Sequence, residues 1–359
     1  QTIDAGRAAG LGGKADDATS GEVRIASAQK YGERCVAELG EIPFFTKTAE
    51  GSYSTFNCLD ATPIPMTVTA DNGTVTMPTE TASRCDKPQF IYSSCEQGPR
   101  VASRTTDQGT RWVLLCRKSI GGLASSQFND IAMIGNNPYT GKTCFFQNAL
   151  YQKKDGANIP HPADVEKSTN LWSGVHGGIG SGIECSKCHD ADAFVHSPWI
   201  DGALDNSGRQ IVPKMGVDED YPMGANDAPY HLVNAAGQGW AAQKHITDER
   251  AAACTKCHRM GKGYQWKTYA SRLDGSNTTW KGLLTTPYRT FEKIHWMPLD
   301  LTGLTEATWA TSEYGKALAF IKNCAKDATD AACASAPIPQ TLAVGTGGAL
   351  RTALPNLTD

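Results

Sequence analysis

The sequence has no long hydrophobic run, no excess of charge of one sign and no histidine before residue 161. Its densest apolar cluster, residues 112–116, is the size of a strand and far short of the ~20 residues that span a bilayer. The 34 basic and 37 acidic residues nearly balance, so no surface for a polyanion is predicted. Residues 1–22 lack a basic start and an apolar stretch, and we expect that any export signal has already been removed.

Length and composition predict a soluble globular protein. A chain of 359 residues is at the upper edge of one large domain, and two or three units of ordinary size are expected. Apolar residues make up 40% and charged residues 20% of the chain, which excludes global disorder and a fibrous structure.

The twelve cysteines fall into two classes. Four lie in two strings of the form Cys-x-x-Cys-His, at residues 185–189 and 254–258. The other eight are dispersed, which favours four disulfides formed in an oxidising compartment, with buried core thiols as the alternative. Proximity favours the pairs Cys324–Cys333 and Cys85–Cys95. The eight are Cys35, Cys58, Cys85, Cys95, Cys116, Cys144, Cys324 and Cys333.

The first half of the chain predicts a β-rich, disulfide-stapled domain over residues 31–150. Residues 1–30 are rich in Gly, Ala and Asp without periodicity and predict a flexible lead-in. Asn72-Gly73 separates two β-branched runs, which is the signature of a β-hairpin. Residues 111–117 also predict a strand.

The second half has a different character, because all eight histidines lie at or beyond residue 161. Gly-rich loops alternate with short helical patterns at residues 247–254 and 311–325, which predicts a loop-rich domain over residues 151–325. Residues 326–359 are small and polar with several prolines and predict an irregular tail. The expected class is therefore an α+β chain of several parts.

The two Cys-x-x-Cys-His strings belong to an internal repeat. His176 precedes Cys185 by nine positions and His245 precedes Cys254 by nine, so the pattern His-x8-Cys-x-Lys-Cys-His recurs after 69 residues. Two copies are too few to stack into a solenoid, so the repeat indicates a duplicated functional module.

Each string is the attachment motif for a c-type haem. Two thiols three residues apart can reach the two vinyl groups of the porphyrin, and the adjacent histidine can then ligate the iron. A structural zinc site, a thioredoxin-like redox pair and a chance match are the alternatives. Zinc leaves both histidines unexplained, a redox pair needs no duplication, and histidine is only 8 of 359 residues, which makes two chance matches rare.

On these motifs the chain resembles the dihaem and multihaem c-type cytochromes over about residues 151–325. The resemblance implies two covalently attached haems c and export of the chain, because such haems are attached after export. The anchors it implies are Cys185 and Cys188 with His189 as proximal ligand, and Cys254 and Cys257 with His258 as proximal ligand.

Four histidines are candidates for the distal iron ligands. His176 and His245 rank first, because they recur at one offset from the two strings. A continuous helix over residues 245–258 would place His245 about 20 Å from His258, so that each could serve the haem of the other module.

The competing pair of distal ligands is His196 and His295, in loops braced by tryptophan and proline. Methionine is less favoured than histidine as the ligand type, and Met297 is its one serious candidate. Of the other histidines, His161 is expected to be exposed in a proline-flanked loop, and His231 is expected to lie in the core.

These features predict an exported dihaem cytochrome, periplasmic or extracellular, that carries electrons through two bis-histidine haems. Its expected partners are redox proteins or an extracellular electron acceptor, with no nucleic acid and no transmembrane segment, and no catalytic residue is predicted. The alternative is an enzyme resembling the dihaem peroxidases, with one open haem, although that family spaces its haems more widely along the chain. A third possibility is that the N-terminal domain docks the haem module on a partner.

Overall fold

The protein is described by a computed structural model, and most of the expected lead-in lies outside the part of the chain that it describes. The described residues are 28–65, 68–69, 75–76, 98–119, 124–148, 153–164, 171–172, 189, 192–196, 198–214, 221, 231–233, 244–255, 261, 306–326 and 331–337. Within these ranges, no helix has the length and apolar character needed to cross a membrane.

Seven of the strands form one sheet at the centre of the described structure. The described strands are β1 (Thr62–Pro63), β2 (Val68–Thr69), β3 (Val75–Thr76), β4 (Arg100–Thr105), β5 (Arg111–Ser119), β6 (Gln127–Asn136), β7 (Lys142–Gln147), β8 (Lys154–Asp155), β9 (His231–Leu232), β10 (Lys244–Ile246) and β11 (Ser335–Pro337). The sheet has the order β1-β4-β5-β6-β7-β9, and β8 pairs with β6 beside this row. All pairings in it are antiparallel except that of β7 with β9, which is parallel.

The alternation of side chains along β5 shows why this sheet is buried on both faces. Trp112, Leu114 and Cys116 pack into the core on one face, while Val113 and Leu115 pack into a second core on the other. Trp112 lies opposite Gly135 of β6, and a Cβ added at Gly135 would lie 2.6 Å from the indole ring. The large side chain on one strand therefore requires a glycine on the next.

Helix α1 (Ala28–Leu39) covers the first face of the sheet. Its residues Tyr31, Cys35 and Leu39 are spaced by four and are all buried, so one stripe of the helix faces the core. A disulfide between Cys35 and Cys144 ties α1 to β7. A second disulfide, Cys58–Cys116, ties a 3-10 turn at Cys58–Asp60 to β5.

The second face of the sheet is covered by residues from the second half of the chain. Helix α2 (Pro198–Asp201) lies in this covering segment, and the core there combines sheet residues with residues that follow position 190. Among the latter, Ala193, Phe194, Val212 and Tyr221 are buried. Residues 31–150 therefore provide most of the sheet, but one of its cores is completed by the region that carries the first Cys-x-x-Cys-His string.

A smaller cluster is built from residues 244–255 and 306–337. It contains helices α3 (Ala252–Thr255), α4 (Glu306–Trp309) and α5 (Glu313–Lys326). Strands β10 and β11 pair antiparallel, and the Cys324–Cys333 disulfide closes the C-terminal end of α5. Its core includes Ile246, Trp309 and Ile321.

Several sequence-based expectations are confirmed by this structure. The chain is of the α+β class with a disulfide-stapled antiparallel sheet, and the Cys324–Cys333 bridge is present. The pairing of β2 with β3 confirms the hairpin around Asn72-Gly73, although that turn lies outside the described residues. Cys85 and Cys95 also lie outside them.

Two local expectations differ from the structure. Helix α1 was not expected in a β-rich region. It is stabilised by packing of the buried stripe on the sheet and by a C-terminal cap, in which Gly40 has positive φ and its N–H donates to the carbonyl of Val36. The tail expected to be irregular contains β11, because residues Ser335–Pro337 find a partner strand in Lys244–Ile246, far back in the chain.

Candidate functional site

The described residues contain four of the predicted site residues, namely His189, His196, His245 and Cys254. The others lie outside the described part of the chain: Cys185, Cys188, Cys257, His258, His176, His295 and Met297. The geometry of the first site can therefore be read at its proximal histidine and at one candidate distal histidine.

His189 lies against the second face of the sheet. Its ring centroid is 5.0 Å from that of Phe145 on β7, with the two planes tilted by 53°. Its Nδ1 atom lies 2.8 Å from the carbonyl oxygen of Ala193. A carbonyl oxygen can only accept, so Nδ1 carries the hydrogen and Nε2 keeps its lone pair.

The surroundings of His189 keep its ring neutral. Burial lowers the pKa of His189 to about 4, and the positive charge of Arg117 lowers it further, against the opposing effect of the hydrogen bond to Ala193. A neutral imidazole with hydrogen on Nδ1 has the protonation state that a metal-ligating histidine needs, with its orientation fixed by a backbone carbonyl. His189 thus fits the role of an iron ligand through Nε2.

His196, seven positions further along the chain, is also held by a hydrogen bond at its Nδ1 atom. Its Nδ1 atom lies 2.7 Å from Oδ1 of Asp201, and Oδ2 of Asp201 lies 2.8 Å from Nζ of Lys214. Burial alone would raise the pKa of Asp201, but the hydrogen bond from His196 and the charge of Lys214 outweigh it and hold that pKa below its usual range. The ionised carboxylate accepts from Nδ1, which fixes the orientation of the His196 ring in the way that carboxylates orient metal-ligating histidines.

His161 was expected to be exposed, and this expectation is wrong. The residue is fully buried, stacked on Tyr53 at a centroid distance of 3.7 Å and packed edge-on against Phe45. Its Nδ1 accepts a hydrogen bond of 3.0 Å from the backbone N–H of Ala163, and burial lowers its pKa to about 4. The neutral ring therefore carries its hydrogen on Nε2, which leaves no lone pair there for a metal.

The second site is described on its N-terminal side. His245 lies in β10, opposite Ala336 of β11, so the continuous helix assumed for residues 245–258 does not form. The chain instead turns at Asp248, whose side chain accepts from the backbone N–H of Arg250, and only then enters a 3-10 turn and α3. Cys254, a thiol on α3, packs against the C-terminal core. The 20 Å argument for crosswise ligation therefore no longer applies to His245.

His231 falls on the edge strand of the central sheet. It pairs with Lys142 of β7, which confirms that the run around it is a strand. Its side chain lies outside what the structure describes, so the expectation that it is in the core stays a prediction.

Two charged residues on the second face of the sheet were not identified from the sequence. Arg117 and Asp130 face each other on β5 and β6, with Nη2 of the arginine 2.9 Å from Oδ2 of the aspartate. Arg117 continues the register of Val113 and Leu115, which pack into the second core. The signal available in the sequence was Arg117 itself, a charged residue at an inward-facing position of the strand predicted for residues 111–117.

Searches of protein-family models, of curated proteins and of solved structures returned no significant match to this chain. The chemistry of the site is therefore inferred from its own side chains. Two described histidines are held at Nδ1, His189 by a backbone carbonyl and His196 by a carboxylate, whereas Nδ1 of the buried His161 accepts a hydrogen bond.

Proposed function

We propose that this chain is an exported dihaem c-type cytochrome that carries electrons between redox partners. The observation on which the proposal rests is the state of His189, the residue that ends the first Cys-x-x-Cys-His string. Its ring packs against Phe145, and its Nδ1 donates to the carbonyl of Ala193, which is the tautomer of a histidine that ligates a metal through Nε2. A haem bound at each string supplies a one-electron couple at its iron.

The sheet gives the first string a rigid support. Phe145 lies on β7, which is joined to α1 on the other face of the sheet by the Cys35–Cys144 disulfide, so the strand under His189 is anchored covalently. Large exposed apolar residues occur nearby. Val195 and Leu204 flank α2 and are each 45% exposed, and they offer apolar surface for a porphyrin beside His196.

His196 is the distal ligand that the described residues support best. Asp201 fixes its tautomer and orientation in the way that carboxylates fix metal-ligating histidines, and Lys214 holds Asp201 in turn. We therefore rank His196 above His245, whose expected helix is a strand. His176 and His295 stay predictions from the sequence.

The same histidine–aspartate pair supports the alternative, a peroxidase-like enzyme with one open haem. A histidine hydrogen-bonded to a partly buried, ionised carboxylate can also move a proton to or from a small substrate. In that case Nε2 of His196 would face a vacant position rather than the iron itself. The two functions differ in the number of open coordination sites, which spectroscopy reports directly.

The cofactor content is tested on the exported full-length protein after denaturation. Thioether bonds survive unfolding, so the chain mass should exceed the sequence mass by two haems, and metal analysis should find iron. Replacing Cys185 or Cys254 by alanine should remove one haem each, while replacing Cys324 should remove none. Zinc in place of iron would overturn the proposal.

The choice between carrier and enzyme is tested by the oxidised optical and electron paramagnetic resonance spectra. A carrier with two bis-histidine haems should be entirely low-spin. His196→Ala should turn one haem high-spin, and His161→Gln should leave both unchanged because His161 has no free Nε2 lone pair. A high-spin haem in the unaltered protein, together with cyanide binding and peroxide turnover, would support the enzyme instead.

The three described disulfides support export, because such bonds persist in oxidising compartments. We propose the periplasm or the exterior of the cell as the location. Titration of the unfolded, unreduced haem-loaded protein should find no reactive thiol. Four or more thiols would contradict both the fourth bridge, Cys85–Cys95, and the proposed location.

A further inference from the structure

His161 is fully buried at the place where an exposed hairpin meets a loop. Its ring is stacked on that of Tyr53 at a centroid distance of 3.7 Å, with only 7° between the planes, and Phe45 packs edge-on against it. The Nε2 atom is buried and has no hydrogen-bond partner among the described residues. Burying an unsatisfied polar atom costs free energy, so a titratable ring in this place points to a role beyond packing.

The hairpin, residues 46–54, is held against the rest of the described structure by one partly buried side chain. Its own backbone hydrogen bonds close it, for example from the N–H of Ser54 to the carbonyl of Thr46. All of its residues are exposed except Tyr53, which stacks on His161. This stack is therefore the main buried contact of the hairpin.

The loop, residues 159–164, links this contact to the core. Ile159 exchanges two backbone hydrogen bonds of 2.9 Å with Phe56, which follows the hairpin and gives the loop a fixed point. The carbonyl of Pro160 accepts a 2.8 Å hydrogen bond from Nε1 of Trp172, a fully buried residue on the way to the first Cys-x-x-Cys-His string. A movement of this loop would therefore change the surroundings of Trp172 as well as those of the hairpin.

The only lone pair of the neutral His161 ring is already in use. Nδ1 accepts a 3.0 Å hydrogen bond from the N–H of Ala163, so the hydrogen of the ring is on Nε2. A second proton can bind only at Nδ1, where it must displace the N–H of Ala163, because two donors would then face each other. Protonation of the ring and the closed arrangement of the loop therefore exclude each other.

The charged groups around the ring do not hold a cation there by hydrogen bonds. Helix α1 packs on the loop, since a Cβ added at Gly32 would lie 2.5 Å from the carbonyl carbon of Pro162. Neither ring nitrogen of His161 is bonded to a carboxylate among the described residues, and Lys47 adds a repelling positive charge. The titratable and charged groups of the surrounding elements are Lys47 and Tyr53 on the hairpin, Glu41 before it, Asp164 on the loop and Glu33 on α1.

We propose that His161 is an acid-operated latch, in which binding of a proton at Nδ1 releases the hairpin from the loop. The inference goes beyond the proposed function and does not depend on haem. A histidine in contact with solvent titrates at about pH 6.5, whereas the closed form has no free lone pair for the proton. The ratio of open to closed molecules should therefore rise about 25-fold between pH 7 and pH 5. Opening exposes the ring of Tyr53 and loosens the loop that fixes Trp172.

The experiment is amide hydrogen exchange of the full-length protein at pH 7 and pH 5, corrected for the intrinsic rate at each pH. The N–H of Ala163 is the reporter, because it is bonded to Nδ1 in the closed form. Its exchange should be about 25-fold faster at pH 5, which is still above the ordinary titration range of carboxyl groups at about pH 4. Local opening exposes little surface, so this exchange should be faster than that of β5 and insensitive to low urea concentrations.

Two variants assign the acid response to one group. His161→Gln does not titrate and should remove the acceleration at pH 5. Glu41→Gln is the matched control, because it removes the carboxylate that accepts a 3.4 Å hydrogen bond from the hydroxyl of Tyr53, and it should keep the acceleration. If His161→Gln leaves the loop open at both pH values, the comparison of the wild type with Glu41→Gln decides.

Equal wild-type rates at the two pH values would overturn the inference, as would an acceleration that persists in His161→Gln or is lost in Glu41→Gln. Loop amides that exchange only at the rate of β5 would also overturn it, because the loop would then open only with the whole sheet. Absence of covalent haem would contradict the proposed function and leave this inference intact.

Discussion

The histidine that ends the first string lies on a seven-stranded sheet, whereas the first cysteine of the second string lies on a four-residue helix packed against α5. Among the described residues, two disulfides link distant parts of the chain around the first site, and one local disulfide lies in the cluster around the second. The sequence repeat therefore duplicates the Cys-x-x-Cys-His motif but not the architecture around it.

This difference teaches how a short motif can be used twice within one chain. Cys-x-x-Cys-His brings its own ligand and anchors, so it needs only a surface on which the histidine can be oriented. At the first site β7 and the carbonyl of Ala193 provide that surface. In the proposed dihaem cytochrome, unequal surroundings would give the two haems different potentials, since burial and nearby charge set the potential.

The largest expected difference between the two regions concerns their disulfides. Removal of Cys58–Cys116, which spans 58 residues, should lower the free energy of unfolding by about 4 kcal/mol on the loop-entropy relation. Removal of Cys324–Cys333, which spans 9 residues, should cost about 2.5 kcal/mol on the same relation. Urea denaturation of the paired alanine variants measures both values, and equal losses would contradict the comparison.

Acid should weaken the sheet region through His161. Its pKa is about 4 in the folded protein against 6.5 as its ordinary value, so between these pH values the unfolded chain binds a proton that the folded chain does not. Stability should therefore fall as the pH drops from 6.5 to 4, by about 3 kcal/mol at most. His161→Gln should remove this part of the pH dependence, and an unchanged slope in denaturation series would show that another group is responsible.

Two glycines test how tightly each region is packed. A Cβ at Gly135 would lie 2.6 Å from the ring of Trp112, and one at Gly315 would lie 1.9 Å from the carbonyl oxygen of Trp309. We expect a loss of about 2 kcal/mol for Gly135→Ala, because the indole must move. Gly315→Ala should also destabilise, although alanine normally favours a helix by ~1 kcal/mol. A stabilised Gly315→Ala variant in thermal denaturation would contradict the close contact of α4 with α5.

The smallest effect is expected at the surface of the C-terminal cluster. The guanidinium of Arg250 lies 4.1 Å from the ring centroid of Phe320 and donates to the carbonyl of Ala332. Arg250→Met should lower the free energy of unfolding by about 1 kcal/mol. Arg104→Met, at an exposed position of the sheet, is the matched control and should have no measurable effect.

Local patterns were predictable from the sequence, whereas long-range partners were not. The strand at residues 111–117, the short helical pattern at residues 247–254 and the Cys-x-x-Cys-His strings depend on neighbours a few residues away, and each was identified. The burial of His161 depends on Tyr53 and Phe45, more than 100 residues earlier in the chain, and no local pattern indicates it.

The candidate site divides in the same way. His189 and His196 were identified by motif and composition, but the groups that set their tautomers were not. Asp201 is near in sequence, yet an aspartate five positions from a histidine is too common to be informative. The helix predicted at His245 is wrong for a related reason. Residues Lys244–Ile246 form a strand because they pair with Ser335–Pro337, which lie far away in the sequence.

The two disulfides of the sheet are nested, with Cys58–Cys116 enclosed within the loop closed by Cys35–Cys144. A chain is synthesised from its N-terminus, so Cys35 and Cys58 emerge before their partners. A disulfide formed in the order of emergence would join Cys35 to Cys58, which are not paired in the folded protein. Cys35 can find its partner only after Cys144 of β7 has been made, unless a wrong early disulfide is rearranged by thiol–disulfide exchange. Production of this protein should accordingly depend on a disulfide isomerase as well as an oxidant, which sets a practical requirement for the choice of host.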